Sequence, residues 1–321
     1  MARVICITLN PALDLAFELE ELALGTVNRP KHAQLEAAGK GVNVARVLAA
    51  LGHDVVVSGF LGRDNDGPFQ LAFKHMGVTD AFVRVSGETR INAKLAEKSG
   101  RVTDINGPGI GVDTAQVASL LDTIEQQLND APADAILVAG SLPPGLSLPA
   151  FSELLTHLKA TGVPLWVDTS GEALLRAIEI APEAVKPNEL ELADWAGSTL
   201  ESHDSRVNAT TRLYQAGIKQ ALLSAGAEGV IWVNTCGAWQ ATPPSVQAVN
   251  TVGAGDTFVA GMLHGLLSQQ DKEETLRFAT ALSAESVRHV GVGTTQADDF
   301  SLLLQRTRVQ HLHANHTEGT L

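Results

Sequence analysis

Short apolar runs rich in valine and isoleucine recur along the chain, and between them lie longer stretches in which apolar residues return every three or four positions. The short runs predict strands at residues 4–9, 55–61, 135–139, 165–167, 221–224 and 230–233. The helical period predicts helices at 41–51, 67–76, 114–129, 149–160, 172–180 and 205–216. After Gly253 the pattern turns wholly helical, at 255–268, 273–289 and 298–307. Strand and helix in alternation predict an α/β fold with a mostly parallel sheet covered on both faces.

Two stretches break this rhythm. Residues 12–37 hold no helical pattern, and residues 82–106 alternate polar and apolar positions as exposed strands do. Both are expected to form a small β flap, or an ordinary surface hairpin, on a single domain spanning 1–321, since no repeat and no linker divides the chain. The segment 309–321 is polar. Its His311, His313 and His316 are expected to belong to a solvated, frayed terminus rather than to a metal site.

Composition narrows the possibilities. With 45% hydrophobic and 18% charged residues the chain can build a large core, and with 4% aromatics that core rests on Ala, Val, Leu and Ile. A net charge of −13 argues against a nucleic-acid or membrane-surface binder, so an anionic ligand would need a local basic cluster. Cys6 and Cys236 each stand in an apolar, strand-like run and read as reduced structural thiols. The opening residues run straight into Asn10-Pro11 as a first strand rather than a cleavable leader, and no apolar run is long enough to cross a bilayer. The cytoplasm is the expected location.

Chemistry is concentrated in a few segments. In Thr251-Val-Gly-Ala-Gly-Asp-Thr-Phe258 three small residues precede a helix. A helix start leaves backbone N–H groups unpaired and binds anions through them and through its dipole. Asp256 then falls in the first turn, either as a helix cap or as the base that takes a proton during phosphoryl transfer. Capping alone does not call for Gly253-Ala254-Gly255. A Gly-x-x-x-x-Gly-Lys-[Ser/Thr] loop and a dinucleotide fingerprint after the first strand are both absent.

Glycines flank Lys40 in Ala37-Ala-Gly-Lys-Gly-Val-Asn-Val-Ala-Arg46, which would let the backbone approach a ligand, and Asn43 can both donate and accept. If 89–98 is a strand, Arg90, Asn92 and Lys94 share one face, a cationic grip for a phosphate or simply a solvated face. In Lys186-Pro-Asn-Glu-Leu-Glu191, Asn188 and Glu191 have the spacing of a capping box and equally of a pair that holds Mg²⁺ through water. Ser224-Ala-Gly-Ala-Glu-Gly229 reads as a strand-to-turn loop suited to a nucleotide, or as a tight hairpin.

Taken in order, these segments resemble the PfkB branch of the ribokinase-like sugar kinases. The similarity runs from Thr8-Leu-Asn-Pro-Ala-Leu-Asp14 to the C-terminal helices, with the family's signatures at Gly39-Lys-Gly-Val-Asn-Val-Ala45 and Asn250-Thr-Val-Gly-Ala-Gly-Asp-Thr-Phe258. Gly140-Ser-Leu-Pro-Pro-Gly145 also looks like a family segment, while Asn250 departs from the serine often found there. Within the family, Gly59-Phe-Leu-Gly-Arg-Asp-Asn65, Thr89-Arg-Ile-Asn-Ala-Lys-Leu95 and Val102-Thr-Asp-Ile-Asn106 are similar to the branch that phosphorylates fructose 1-phosphate. The related branch that phosphorylates fructose 6-phosphate tends to have a third glycine where Lys40 stands, and kinases of tagatose 6-phosphate share much of the rest.

The resemblance implies a three-layer α/β/α domain with a β lid, a homodimer formed through that lid, and a reaction of MgATP at the sugar's 6-hydroxyl to give fructose 1,6-bisphosphate. It makes Asp256 the base and Gly253, Ala254 and Gly255 the anion hole. Ser224, Gly226 and Gly229 would contact ATP, with Asn188 and Glu191 linked to Mg²⁺. Asp14, Gly39, Lys40, Asn43, Arg90 and Ser141 would hold the sugar phosphate, joined by Asn92 and Lys94 from the flap. A non-catalytic sensor of nucleotide or sugar phosphate on the same fold is the alternative from another class.

Overall fold

Val4, Ile5, Cys6 and Ile7 have no solvent exposure at all, so the first apolar run becomes a strand covered on both faces. This is β1 (Arg3–Thr8) in a computed structural model that describes residues 1–312. The chain forms two units, Met1–Val163 and a second that begins at Pro164.

In the first unit β1 is followed by β2 (Ala12–Leu19), β3 (His32–Ala38), α1 (Lys40–Ala50), β4 (Asp54–Gly62), α2 (Gly67–Met76) and β5 (Thr79–Val85). Then come β6 (Ile91–Glu97), β7 (Val102–Ile105), α3 (Thr114–Asp130), β8 (Ala135–Ala139) and α4 (Leu148–Ala160). Strands β8, β1, β4 and β5 lie side by side in that order, all parallel. The chain leaves β1 for β4 on one side and later returns to β8 on the other. At such a switch point an open parallel sheet leaves a crevice beyond the strands' carboxyl ends.

A separate sheet has the order β3-β2-β6-β7. Its register puts Leu13, Leu15 and Phe17 beside Ala37, Leu35 and Ala33 on one flank and Ile91, Ala93 and Leu95 on the other, making one apolar face. The alternate positions, Asp14, Glu36, Asn92 and Lys94, make a polar face. These strands fall in the two segments that broke the rhythm. Residues 82–85 are the exception: they belong to β5, which pairs with β4 from Thr79 to Val85 in the larger sheet.

The second unit contains β9 (Leu165–Asp168), α5 (Gly171–Ile180), β10 (Ala184–Val185), α6 (Glu189–Ala196), α7 (His203–Gln215), β11 (Gln220–Ser224), β12 (Val230–Asn234) and β13 (Gly237–Thr242). It ends with α8 (Ala254–Leu267), α9 (Lys272–Ser286), α10 (Phe300–Arg306) and β14 (Arg308–Leu312). Strands β9, β10 and β11 are parallel, and β11 through β14 continue antiparallel. Helix α8 packs closely on α9. A Cβ at Gly261 would lie 2.6 Å from the Ala279 Cα, and one at Gly265 would lie 2.6 Å from the Thr275 Cγ2.

Two further sequence expectations change here. Cys236 is not in a strand but exposed in the turn between β12 and β13, where its N–H donates to the Asn234 Oδ1 at 2.7 Å. Cys6 is buried as expected, and burial pushes its thiol pKa up. Residues 309–312 are not frayed but paired with β13. A nitrogen of His311 lies 3.1 Å from the Cys236 carbonyl, and its ring meets Trp239 edge-on. His313 and His316 lie outside the described residues.

Candidate active site

The first unit gathers every residue expected to hold the sugar phosphate. Gly39 caps the start of α1 with φ +133°, and Lys40 and Asn43 lie in the helix's first turn. The glycines beside Lys40 have a packing reason as well as the expected ligand one. A Cβ at Gly39 would fall 2.8 Å from the Thr8 Cγ2, and one at Gly41 would fall 2.4 Å from the Thr8 Oγ1. Closeness to the end of β1 thus sets where Lys40 starts its helix. A Cβ built at Gly140 would come within 4.0 Å of the Lys40 Cβ, so the turn carrying Ser141 lies beside Lys40.

The Ser141 Oγ is 3.2 Å from the Asn10 Nδ2, just beyond the carboxyl end of β1. The Arg90 guanidinium donates to three carbonyls: Nη2 to Asn10 at 2.8 Å, Nη1 to Gly107 at 2.9 Å and Nε to Pro11 at 3.3 Å. Guanidinium carries five N–H donors, so this geometry fixes its plane and leaves two for a ligand. Half-burial pulls the Arg90 pKa below the ordinary arginine value.

On the flap, the expected cationic face is largely balanced internally. Lys94 Nζ is 2.6 Å from the Asp14 Oδ2, and the Asn92 Nδ2 donates to the Asp14 Oδ1 at 3.0 Å. The Asn92 Oδ1 in turn accepts from the Gly107 N–H at 3.2 Å. Asn92 is buried, and its amide braces Asp14 and the loop at Gly107.

The second unit holds the residues expected to contact the nucleotide and to act as the base. Gly253 precedes α8 with φ +85°, a left-handed conformation that suits glycine, and Asp256 is buried in the helix's first turn. The first N–H groups of a helix have no carbonyl four residues back. Here the Ala254 N–H leans on the Thr251 carbonyl at 3.3 Å. Ser283 Oγ donates to the Ala254 carbonyl at 2.9 Å, and the Gly293 N–H donates to the Thr257 Oγ1 at 3.1 Å, so the first turn is held from two sides.

Ala254 and Gly255 line a cavity of about 560 Å³ that Ser224, Gly226 and Gly229 also line, with Pro243, Val246 and Val287 among its apolar walls. The proposed anion loop and nucleotide loop therefore share one cavity. Gly229 is tight for a structural reason too, since a Cβ there would sit 1.9 Å from the Ala241 carbonyl oxygen.

Asn188 and Glu191 form a complete capping box: the Asn188 Oδ1 accepts from the Glu191 N–H at 2.9 Å, and the Glu191 Oε2 accepts from the Asn188 N–H at 2.8 Å. Asn188 also bridges to Ser224, which puts the cap beside the nucleotide loop. Among the described residues no group of three or more His, Cys, Asp or Glu side chains could cage a metal. Mg²⁺ keeps several waters and is commonly held by one or two carboxylates plus substrate phosphates. Asn188 is exposed and Glu191 half-buried, an arrangement that suits contact through water rather than direct enclosure.

Lys186 opens the segment that carries Asn188 and Glu191. Lys186, buried, has its Nζ 3.6 Å from the Asp168 Oδ1 and about 3.4 Å from where a Gly255 Cβ would stand. A buried lysine needs a counter-charge, and Asp168 at the end of an apolar strand was the available signal.

The pfkB family carbohydrate kinase model matches residues 3–299. This chain belongs to the pfkB family of carbohydrate kinases. It is 43% identical to the 1-phosphofructokinase of Vibrio cholerae, over 97% of this chain and 98% of that one. Phosphofructokinase-2 of Escherichia coli, solved with substrates and products, superimposes with a TM-score of 0.87 at 28% identity, covering 94% of this chain and 98% of the other. That enzyme has also been solved as a tetrameric inhibited form, TM-score 0.86 at 28% identity, covering 95% of this chain and 99% of the other. Arabidopsis thaliana ribokinase, with ribose and ATP, matches at TM-score 0.71 and 23% identity over 91% and 94% of the two chains. The fold is ribokinase-like, with a mostly parallel sheet and a smaller separate one.

Proposed function

We propose that this kinase transfers the γ-phosphoryl of ATP to the 6-hydroxyl of fructose 1-phosphate, giving fructose 1,6-bisphosphate and ADP. The observation that carries the chemistry is the buried Asp256 in the first turn of α8, whose Ala254 and Gly255 line the same cavity as Ser224, Gly226 and Gly229. Asp256 accepts the proton of the 6-hydroxyl as its oxygen attacks phosphorus, and the bond from the γ-phosphorus to the ADP oxygen breaks. The amides of Gly253, Ala254 and Gly255, with the Lys186 ammonium beside them, stabilise charge on the transferring group. Asn188 and Glu191 would hold Mg²⁺ through water; when bound, the ion spreads the charge of the triphosphate. Asp14, Gly39, Lys40, Asn43, Arg90 and Ser141 hold the sugar phosphate, with Asn92 and Lys94 setting the position of Asp14. Fixing the acceptor's phosphate orients its hydroxyl for in-line attack.

The choice of sugar is supported by the 43% identity to a 1-phosphofructokinase over nearly the whole of both chains. A coupled assay of ADP release with fructose 1-phosphate, fructose 6-phosphate and tagatose 6-phosphate tests it. Fructose 1-phosphate is expected to give the highest kcat/KM. A preference for another of the three would reassign the substrate, and no ADP release with any would leave a nucleotide or sugar-phosphate sensor.

The apolar face of the flap supports assembly with a second copy of this chain. Leu35, Ile91 and Ile105 are 44%, 47% and 59% exposed on it, and the related Escherichia coli enzyme forms tetramers. We place the enzyme in the cytoplasm. Two unpaired cysteines and the lack, among the described residues, of a helix long and apolar enough to cross a membrane support that location.

A further inference from the structure

Asn10 stands where three loops of the first unit meet, immediately after β1. It is 4% exposed. Its Nδ2 lies 3.2 Å from each of three acceptors: the Pro108 carbonyl, the Leu142 carbonyl and the Ser141 Oγ. Two of these are carbonyls, which only accept, so the orientation of the amide is decided by chemistry rather than by choice. Its own main-chain carbonyl accepts from the Arg90 Nη2 at 2.8 Å. One residue thus touches the serine turn, the arginine and the loop at 107–109.

We propose that Asn10 is a positioning residue for the sugar phosphate, which sets the Ser141 hydroxyl and the Arg90 guanidinium in place; this rests on the functional reading above. Because Ser141 Oγ accepts from Asn10, its hydroxyl hydrogen is left to donate away from Asn10, and Ser141 is exposed. Arg90 is held in the same way. Its contacts to Asn10, Pro11 and Gly107 take three donors and leave the other two with a fixed direction.

The loop's closure on Asn10 comes at a cost. Gly109 has φ +103°, and a Cβ there would lie 2.1 Å from the Asn10 Oδ1. That oxygen is buried and has no hydrogen-bond partner among the described residues. An unsatisfied buried acceptor is unfavourable, and a side chain needed only to fill space would avoid it. What asparagine offers at this point is a pair of donors that reach both loops and the serine at once.

The test compares wild type, Asn10→Ala, Ser141→Ala and the double variant, using whichever of the three ketohexose phosphates the wild type turns over best. Asn10→Ala is expected to raise the KM for the sugar phosphate roughly ten- to a hundredfold and to leave the KM for ATP within about twofold. Because Ser141 acts in the geometry that Asn10 sets, Ser141→Ala should cost far less in the Asn10→Ala background than in wild type. Should Asn10→Ala fail to fold, Asn10→Ser, which keeps one donor, replaces it in the same cycle with a smaller rise expected. An unchanged sugar-phosphate KM, or effects of the two substitutions that simply multiply, overturns this inference alone. A wild type that turned over none of the three sugars would overturn the functional reading and this inference with it.

Discussion

At the scale of single residues, the proposed chemistry rests on Asp256 and the proposed hold on the acceptor on Lys40. Asp256→Asn keeps the shape but not the basicity. Turnover is expected to fall roughly 10²- to 10⁴-fold with the melting temperature little changed, and near-normal turnover would remove Asp256 from the role. Lys40→Ala deletes the charge that we propose contacts the sugar phosphate in ground and transition states alike, so it should raise that KM with kcat little altered. A change confined to the KM for ATP would put the sugar elsewhere. His289 offers a pH test of the segment after α9. Its pKa is raised, chiefly by its hydrogen bond to the Val290 carbonyl and then by Glu285 at 2.8 Å. A raised folded pKa stabilises the fold fully below the unfolded value near 6.5 and loses that contribution as pH climbs through the folded value. The gap in melting temperature between wild type and His289→Gln should therefore narrow as pH rises from about 6 to 8. A gap independent of pH would mean that the charge of His289 contributes nothing.

At the scale of elements, helix ends and helix contacts do the positioning. Asn188 caps α6 and stands beside the proposed nucleotide loop, while Asp113 caps α3 through a capping box with Gln116. Alanine at either should cost about 1 kcal/mol in stability, but only Asn188→Ala should also raise the KM for MgATP. Equal kinetics in the two variants would reduce Asn188 to a cap. Helix α8 owes its closeness to α9 to Gly261, where a methyl would meet the Ala279 backbone. Gly261→Ala is expected to destabilise by about 1–3 kcal/mol, as overpacking does, measured by urea unfolding. The period-two pattern of 89–98 put Arg90, Asn92 and Lys94 on one side, and the register of β6 against β2 agrees for Asn92 and Lys94, while Arg90 stands just before the strand. What the pattern could not carry was that Asp14, across the strand pair, already neutralises Lys94.

At the scale of the molecule, a chain with a net charge of −13 takes up anionic ligands only where local geometry overrides the overall field. On the proposed reading each unit supplies that locally, one with Arg90 and Lys40, the other with Lys186 and the start of α8. Ligands that bind only the folded chain raise its stability by about 2.7 kcal/mol at a hundred times Kd. Sugar phosphate should do so in wild type and much less in Lys40→Ala, whereas ATP should protect both equally. By itself the sequence determined the central strands, the long helices and the small residues before Asp256, because consecutive burial, helical period and a glycine run are local signals. It read the segment of β14 as part of a frayed, polar terminus, when pairing with β13 makes it a strand. It placed Cys236 in a strand when the Asn234 side chain makes a turn there. Nor did it single out Asn10 or Lys186. Their importance comes from partners 80 to 132 residues away for Asn10, and for Lys186 from Asp168 and Gly255, and such meetings exist only once the chain has folded.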